Sequence, residues 1–343
     1  MKAIPEPFGL REKTMNIYDL IRPEIHSASD AKQFMYSCGS RNISLFDMFE
    51  KSASILTNTA YKNIYVSYSG GADSDIMLAL CEMIAPGKCK YIWFDTGMEY
   101  EATKEHIVEV EKKYGVTIEK LKAATPVPVA VRKHGSPFLS KFVSQMLHRV
   151  QIHNFDFTDP EMPTSAANWW NNTRNTTKYG YSMFNIDYNK GLKDFIAQNP
   201  PDFTISDRCC DESKKKTSKM FLKTHDVDLL LVGLRKSEGG VRSAKINSCF
   251  DFKRKIYRPL FWLTNGDREE FAELFGVEFS KCYTEYGFKR TGCACCPFGG
   301  KNCFRELEVV KIFEPKLYKA VNYVFGDSYD YTRRYFEFKD GLK

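Results

Sequence analysis

Apolar positions change their spacing along this chain. Near Ile17–Ile21 and Leu45–Phe49 they fall at helical intervals, which predicts short amphipathic helices over residues 1–60. From residue 61 strands and helices alternate. Residues 63–68 form an apolar run, and positions 76, 77, 80, 81 and 84 follow on one helical face. Residues 90–94 predict a second strand, 101–114 a charged amphipathic helix closed by Gly115, and 116–121 a third strand. Residues 228–232 are nearly all apolar, as a central parallel strand covered on both faces would be. This alternation predicts a doubly wound, mostly parallel α/β sheet.

The rhythm stops between about 140 and 205. That stretch is rich in Asn, Thr and aromatics, with Trp169-Trp170 at its middle, and is too long for an ordinary loop, so it reads as an inserted subdomain or lid. The tryptophan pair fits the core of such a lid better than a platform for a nucleobase with Arg174. Beyond 260 the helical period returns. Asp267 to Glu270 resembles a capping box, and Gly276 ends the helix. The expected organisation is a helical segment at 1–60, a nucleotide-binding domain at 61–262 with its insertion, and a helical, Cys-rich region at 263–343.

Composition narrows the function classes. The chain has 343 residues, 43% of them hydrophobic, which excludes a disordered or collagen-like protein. No apolar run reaches the ~18 residues that predict a membrane span, and the start lacks the apolar core of a secretion signal. The expectation is a cytoplasmic protein with no membrane partner. The net charge is +7, and residues 205–260 carry fourteen Lys and Arg against seven Asp and Glu, so the whole excess sits in one stretch. That concentration points to an anionic substrate at one crevice.

Candidate chemistry begins at Ser69-Gly70-Gly71-Ala72-Asp73-Ser74, between the first strand and its helix. Glycines let the backbone approach an anion, the helix end offers free N–H groups, and Ser69 and Ser74 can donate to phosphate. Asp73 can orient the loop or hold Mg²⁺. The Gly-Lys-Ser/Thr ending of a Walker A loop is missing. Asp95, Thr96, Gly97 and Glu99 follow the second strand, and Gly233, Arg235, Glu238 and Arg242 follow a later one. In open α/β sheets such loops converge on one ligand crevice. Arg235 and Arg242 offer forks to oxyanions, and Lys214 to Lys216 add point charges.

Of 11 cysteines, seven cluster: Cys209 and Cys210, then Cys282, Cys293, Cys295, Cys296 and Cys303. Thiolates at such spacing suit an iron–sulfur cluster or zinc, or form a metal-free dithiol. Cys38, Cys81, Cys89 and Cys249 read as small hydrophobes.

These motifs carry a family resemblance. SGGADS resembles the PP-loop of the adenine nucleotide alpha-hydrolases. The Phe94-Asp95-Thr96-Gly97, Arg208-Cys209-Cys210 with Lys214, Gly233-Leu234-Arg235 with Glu238, and Cys293 to Cys296 elements make the chain most similar to the phosphoadenosine phosphosulfate (PAPS) reductase family. The resemblance implies ATP or adenylyl sulfate as ligand at Ser69, Gly70, Gly71, Asp73, Ser74, Asp95, Thr96, Gly97, Gly233 and Arg235, with Mg²⁺ a further candidate. It implies charge stabilisation by Arg235, Arg242 and Lys214. It also implies a [4Fe-4S] cluster on Cys209, Cys210, Cys293 and Cys296. An alternative set, Cys282, Cys293, Cys296 and Cys303, resembles the cysteines of the DNA phosphorothioation sulfur-transfer enzyme, and zinc is a second alternative. The reductases proper attack sulfur with a cysteine in a C-terminal Glu-Cys-Gly-Leu-His motif, and no cysteine follows Cys303 here. The expectation is therefore adenylation-dependent sulfur transfer, in which Cys295 or Cys303 can carry sulfur and a sulfur-donor protein and a nucleic-acid acceptor are candidate partners. The alternatives are reduction with an electron donor and a thiol from elsewhere, or a metal-stapled binding module.

Overall fold

The computed structural model describes residues 25–173, 185–239 and 246–342. Arg242, Arg174 and the predicted helix at 17–21 lie outside them. Six strands form one sheet in the order β3-β2-β1-β4-β6-β5. They are β1 (Ile64–Tyr68), β2 (Cys89–Asp95), β3 (Ile118–Lys122), β4 (Leu229–Val232), β5 (Phe250–Asp251) and β6 (Ile256–Tyr257). All pairs are parallel except β5 with β6. The fold is a mostly parallel α/β sheet, as the alternation of strands and helices predicts.

The alternation of side chains in β1 and β4 explains why both strands are so apolar. Ile64, Val66, Tyr68, Leu229 and Leu231 face one core, while Tyr65 and Leu230 face another with Phe221. The first core is closed by α1 (Ala28–Ser37), α2 (Ile43–Leu56), α3 (Ala72–Ile84) and a later helix, Asn265–Phe275. Asn42 and Ser40, at the start of α2, hydrogen-bond Asp267 and Glu270 of that later helix, so the N-terminal helices are fastened to the sheet domain by polar contacts as well.

α4 (Glu101–Tyr114) follows β2 and ends on Gly115 at φ +66, the left-handed cap. After β3 come α5 (Val127–His134), α6 (Lys141–Ile152), α7 (Thr164–Asn171) and α8 (Leu192–Gln198). The last three share a hydrophobic cluster with the end of the C-terminal helix, and Trp169 and Trp170 are buried in it, 1% and 9% exposed. The pair is core, and no ring is left free to stack a base. α9 runs on from there as Arg208–Cys210, a π-helical turn Asp211–Lys215, and Lys216–Thr224.

The later helix named above is α10. Its cap is Thr264, which accepts from the Asp267 N–H while Asp267 accepts back from Thr264. The capping box therefore starts three residues before the expected position, with Asp267 as its far member rather than its cap. α11 (Lys281–Thr284), α12 (Lys301–Phe313) and α13 (Pro315–Gly341) complete the chain. Glu314, between the last two, accepts from the Glu101 and Ala102 N–H groups and caps α4. This ties the C-terminal region to the loop that follows β2.

Candidate active site

Three loops meet beyond the carboxyl ends of β1, β2 and β4. In the first, Ser74 Oγ donates to the Gly71 carbonyl and accepts from the Gly71 and Ser69 N–H groups, folding residues 69–74 into a tight cradle. Gly70 sits at φ +68, and a Cβ there would lie 2.6 Å from Thr103 Cγ2. Only glycine fits both the backbone and the space. α3 starts at Ala72, so the positive end of its dipole faces this cradle.

Asp73 is the cradle's charged member. Arg235 Nε donates to its Oδ1 at 2.9 Å, and Arg268 Nη1 of α10 lies 3.7 Å from the same atom. Arg235 is 4% exposed, and its Nη1 also donates to Ser237 and Asn265. Its Nε and Nη1 are thus committed to the frame of the site. Burial pushes the Glu238 carboxyl up, and Asp73 beside it adds to the shift. Gly233 lies against the Asp73 backbone, where a Cβ added to it would stand 3.5 Å from the Asp73 carbonyl, so the β4 loop closes directly on the cradle.

Sequence reasoning missed three residues here. Arg268 lies among acids in a surface helix, where its sequence context carries no signal. Its Nε is buried without a hydrogen-bond partner. Tyr283 Oη takes the Ala72 N–H and contacts Thr291 Oγ1 at 3.2 Å, so a hydroxyl pair from the C-terminal region covers the cradle's open N–H groups. Beneath the cradle, Tyr68 Oη donates to Asp75 Oδ1 at 2.5 Å, and His106 Nε2 lies 3.1 Å from that oxygen, off the line of a hydrogen bond. Burial pushes the Asp75 carboxyl up; burial also works against a charged His106, but Asp75 and Glu109 beside it outweigh that effect and raise the imidazole.

In the second loop, the Gly97 N–H donates to Asp95 Oδ1 at 2.8 Å, and Thr96 Oγ1 donates to Glu99 Oε1 at 2.6 Å. The Ala294 N–H bonds the Met98 carbonyl at 2.7 Å, and Cys293 Sγ lies 3.5 Å from Thr96 Oγ1. A cysteine of the C-terminal pair therefore touches the nucleotide loop.

Cys209 and Cys210 come to the same place on α9. The Cys209 thiol donates to Cys210, and with Lys141 and Lys214 it holds Cys210 below the ordinary thiol range, while Cys209 is pushed up. Cys293 and Cys296 act on Cys209 across this gap. Lys214 is exposed along its stem, but its ammonium lies among Cys293, Glu99, Cys210 and Cys296, with Cys293 contributing most to raising its pKa. Lys215 and Lys216 pair with Asp211 and Glu212 one turn back, so of the lysine triplet only Lys214 faces the thiols. The π turn at 211–215 sets this divergence, because it breaks the helical register between the cysteines and the lysines.

The other thiols stand apart. Cys282 is fully buried against Thr103 Oγ1 at 3.7 Å, and Cys295 and Cys303 lie side by side in the C-terminal core. Burial pushes Cys303 up to about 12. Cys81 and Cys89 are buried beside each other in the sheet core. Among the described residues no three His, Cys, Asp or Glu side chains converge as ligands of a single metal ion. A zinc ion needs sulfurs at ~2.3 Å, whereas an iron–sulfur cube needs a wider cage. Cys210, Cys293 and Cys296 lie about one ammonium with Cys209 beside Cys210, and thiols grouped in this way, two of them on a Cys-x-x-Cys turn, are the donor type such a cube takes.

A strand–glycine loop–helix cradle at the carboxyl edge of a parallel sheet, with Arg235 and Arg268 on its Asp73, has the form of a PP-loop and suits the phosphates of a nucleotide. Residues 63–151 match the model of the phosphoadenosine phosphosulfate reductase domain. The matched segment runs from β1 into α6, so the likeness to PAPS reductases is shown for that part of the chain. An uncharacterised protein of Methanocaldococcus jannaschii is 31% identical over 85 residues, which are 24% of this chain and 18% of that protein. The chain thus spans less than a fifth of that relative. Among solved structures, a phosphoadenylyl-sulfate reductase from Candida auris in a phosphate complex is similar with TM-score 0.39 and 13% identity, over 78% of this chain and 95% of that one. A U34-tRNA thiolase from Methanococcus maripaludis with its [4Fe-4S] cluster gives TM-score 0.37 and 14% identity, over 88% and 82%. An NH3-dependent NAD synthetase from Campylobacter jejuni gives 0.31 and 11%, over 83% and 95%. No helix among the described residues is long and apolar enough to cross a membrane.

Proposed function

We propose that the chain is an ATP-dependent sulfur-transfer enzyme. The observation that carries this reading is the contact of Cys293 with Thr96, which brings a thiol against the loop that follows β2 in the nucleotide crevice. The 69–74 cradle and the start of α3 bind the phosphates, and Arg235 holds Asp73 in place behind them. Arg268 and Lys214 supply positive charge where a pentavalent α-phosphorus gathers negative charge, and Arg242 lies outside the described residues. Asp73 would be the carboxylate that holds Mg²⁺.

An oxygen of the acceptor attacks the α-phosphorus, the bond to the bridging oxygen breaks, and pyrophosphate leaves. Hydrosulfide from a sulfur donor then attacks the acceptor carbon, and the carbon–oxygen bond breaks with AMP carrying the oxygen away. Cys209, Cys210, Cys293 and Cys296 would hold a [4Fe-4S] cluster, whose chemistry when bound is to accept and present sulfur. Lys214 keeps an ammonium among these thiols and favours their deprotonated forms.

The test is product analysis with ATP, sulfide and a set of acceptors that includes RNA. The reading predicts pyrophosphate and AMP in equal amounts. Release of ADP and phosphate would contradict it.

A further inference from the structure

A second cavity of about 580 Å³ lies outside the PP-loop crevice, between the end of α5, α6, residues 203–204 and α13. Its volume suits a single nucleotide. Its floor is built: Gly135, at φ +103, would drive a Cβ to within 2.4 Å of the Thr204 carbonyl oxygen, and the Ser136 N–H donates to that same oxygen. Ser206 N–H returns a bond to Ser136, so two chain segments are locked side by side. Ser136 is 6% exposed, and its hydroxyl is buried with no hydrogen-bond partner.

The walls carry positive charge. Arg132 and Lys133 are exposed and form no ion pair among the described residues. His148 gives its Nδ1 proton to the Ile205 carbonyl at 3.0 Å, which leaves Nε2 as its free polar atom. His134 lies close enough to Arg208, Lys133 and His148 to feel the charge of each. On the far wall, Tyr323 is 82% exposed and offers a flat face, and Asp327, one turn on, is the cavity's one carboxylate among the described lining residues.

We propose that this cavity binds a nucleoside phosphate, separately from the PP-loop. The phosphate lies against Arg132 and Lys133, the base stacks on Tyr323, and Asp327 accepts from a ribose hydroxyl or a base amino group. The phosphate can belong to a free nucleotide or to a nucleic-acid strand. Arg208 links the cavity to the tandem cysteines that follow it in sequence. The site stands whether or not the chain transfers sulfur, since none of its residues belongs to the PP-loop.

Equilibrium dialysis of the full chain with AMP tests it. The wild-type chain should bind one AMP more than the Arg132→Ala/Lys133→Ala variant, or bind that AMP at least about tenfold more tightly, the weight of one or two charge-assisted hydrogen bonds. Thermal melting of the variant checks that it folds. A Tyr323→Trp variant reports the site independently of those substitutions, and AMP and a short single-stranded oligoadenylate should each quench its added fluorescence. An oligoadenylate advantage that collapses with salt assigns a nucleic-acid ligand, and equal affinity assigns a free nucleotide. Unchanged AMP stoichiometry and affinity in the double variant, or a Tyr323→Trp signal that neither probe alters, would overturn the proposal.

Discussion

Replacing Gly70 with alanine tests the cradle's geometry atom by atom. Two separable costs arise. The first is the backbone at φ +68, which an L-residue adopts at a cost of about 1–2 kcal/mol. The second is the new Cβ at 2.6 Å from Thr103 Cγ2, a methyl on a β-branched, 2% exposed residue of α4 with little room to turn. Overpacking of that kind costs about 1–3 kcal/mol. Gly70→Ala should therefore lose about 2–5 kcal/mol in urea unfolding at 25 °C. Thr103→Ser removes the offending methyl and keeps the hydroxyl near Cys282. In the double variant the steric part should return and only the backbone part should remain, giving a coupling of about 1–3 kcal/mol between the two positions. Additive losses, or a Gly70→Ala loss below about 0.5 kcal/mol, would refute this account of the cradle.

Arg268→Ala should weaken ATP binding by calorimetry about five- to thirtyfold, the worth of one charge-assisted contact, with the fold intact; unchanged affinity would make Arg268 merely structural. The Asp75–His106 pair makes stability fall with pH. Both groups have native pKa values above their unfolded ones, so the folded state holds protons that the unfolded state releases. Asp75 loses stability as pH rises above the ordinary carboxyl range, and His106 does so from the ordinary histidine value upward through its native one. Asp75→Asn should flatten the slope of the denaturation midpoint above neutrality; an unaltered slope would place its origin elsewhere. Trp169→Ala should cost about 3–5 kcal/mol without altering binding of single-stranded nucleic acid, since the ring is core rather than platform.

The sheet was legible because β1, β2 and β4 are buried on both faces, which forces near-continuous apolar runs, and because Gly70 and Gly115 stand at left-handed backbone positions that favour glycine. Strand and helix ends shifted by up to three residues, as at Ala72 and Thr264, since end positions are decided by caps rather than by periodicity. The convergence of Cys209 and Cys210 on Cys293 and Cys296 could not be read from spacing, because about eighty residues of chain separate them and tertiary contacts such as Ala294–Met98 and Cys295–Tyr100 place the C-terminal pair. The divergence of Lys214 from Lys215 and Lys216 was invisible for the same kind of reason, as it depends on a π turn that no composition signals. Arg268, Tyr283 and Thr291 enter the site from elements with no motif, so their role appears only in three dimensions.

We propose that Cys209, Cys210, Cys293 and Cys296 form one cluster site beside the loop that follows β2. Iron and acid-labile sulfide, measured on anaerobically purified wild-type chain and on single Cys→Ser variants, test it most directly. The account predicts iron and sulfide in the wild type, their loss in Cys209→Ser, Cys210→Ser, Cys293→Ser and Cys296→Ser, and their retention in Cys282→Ser and Cys303→Ser. Zinc without sulfide in the wild type, or loss of iron in Cys282→Ser or Cys303→Ser with retention in Cys209→Ser and Cys210→Ser, would contradict it.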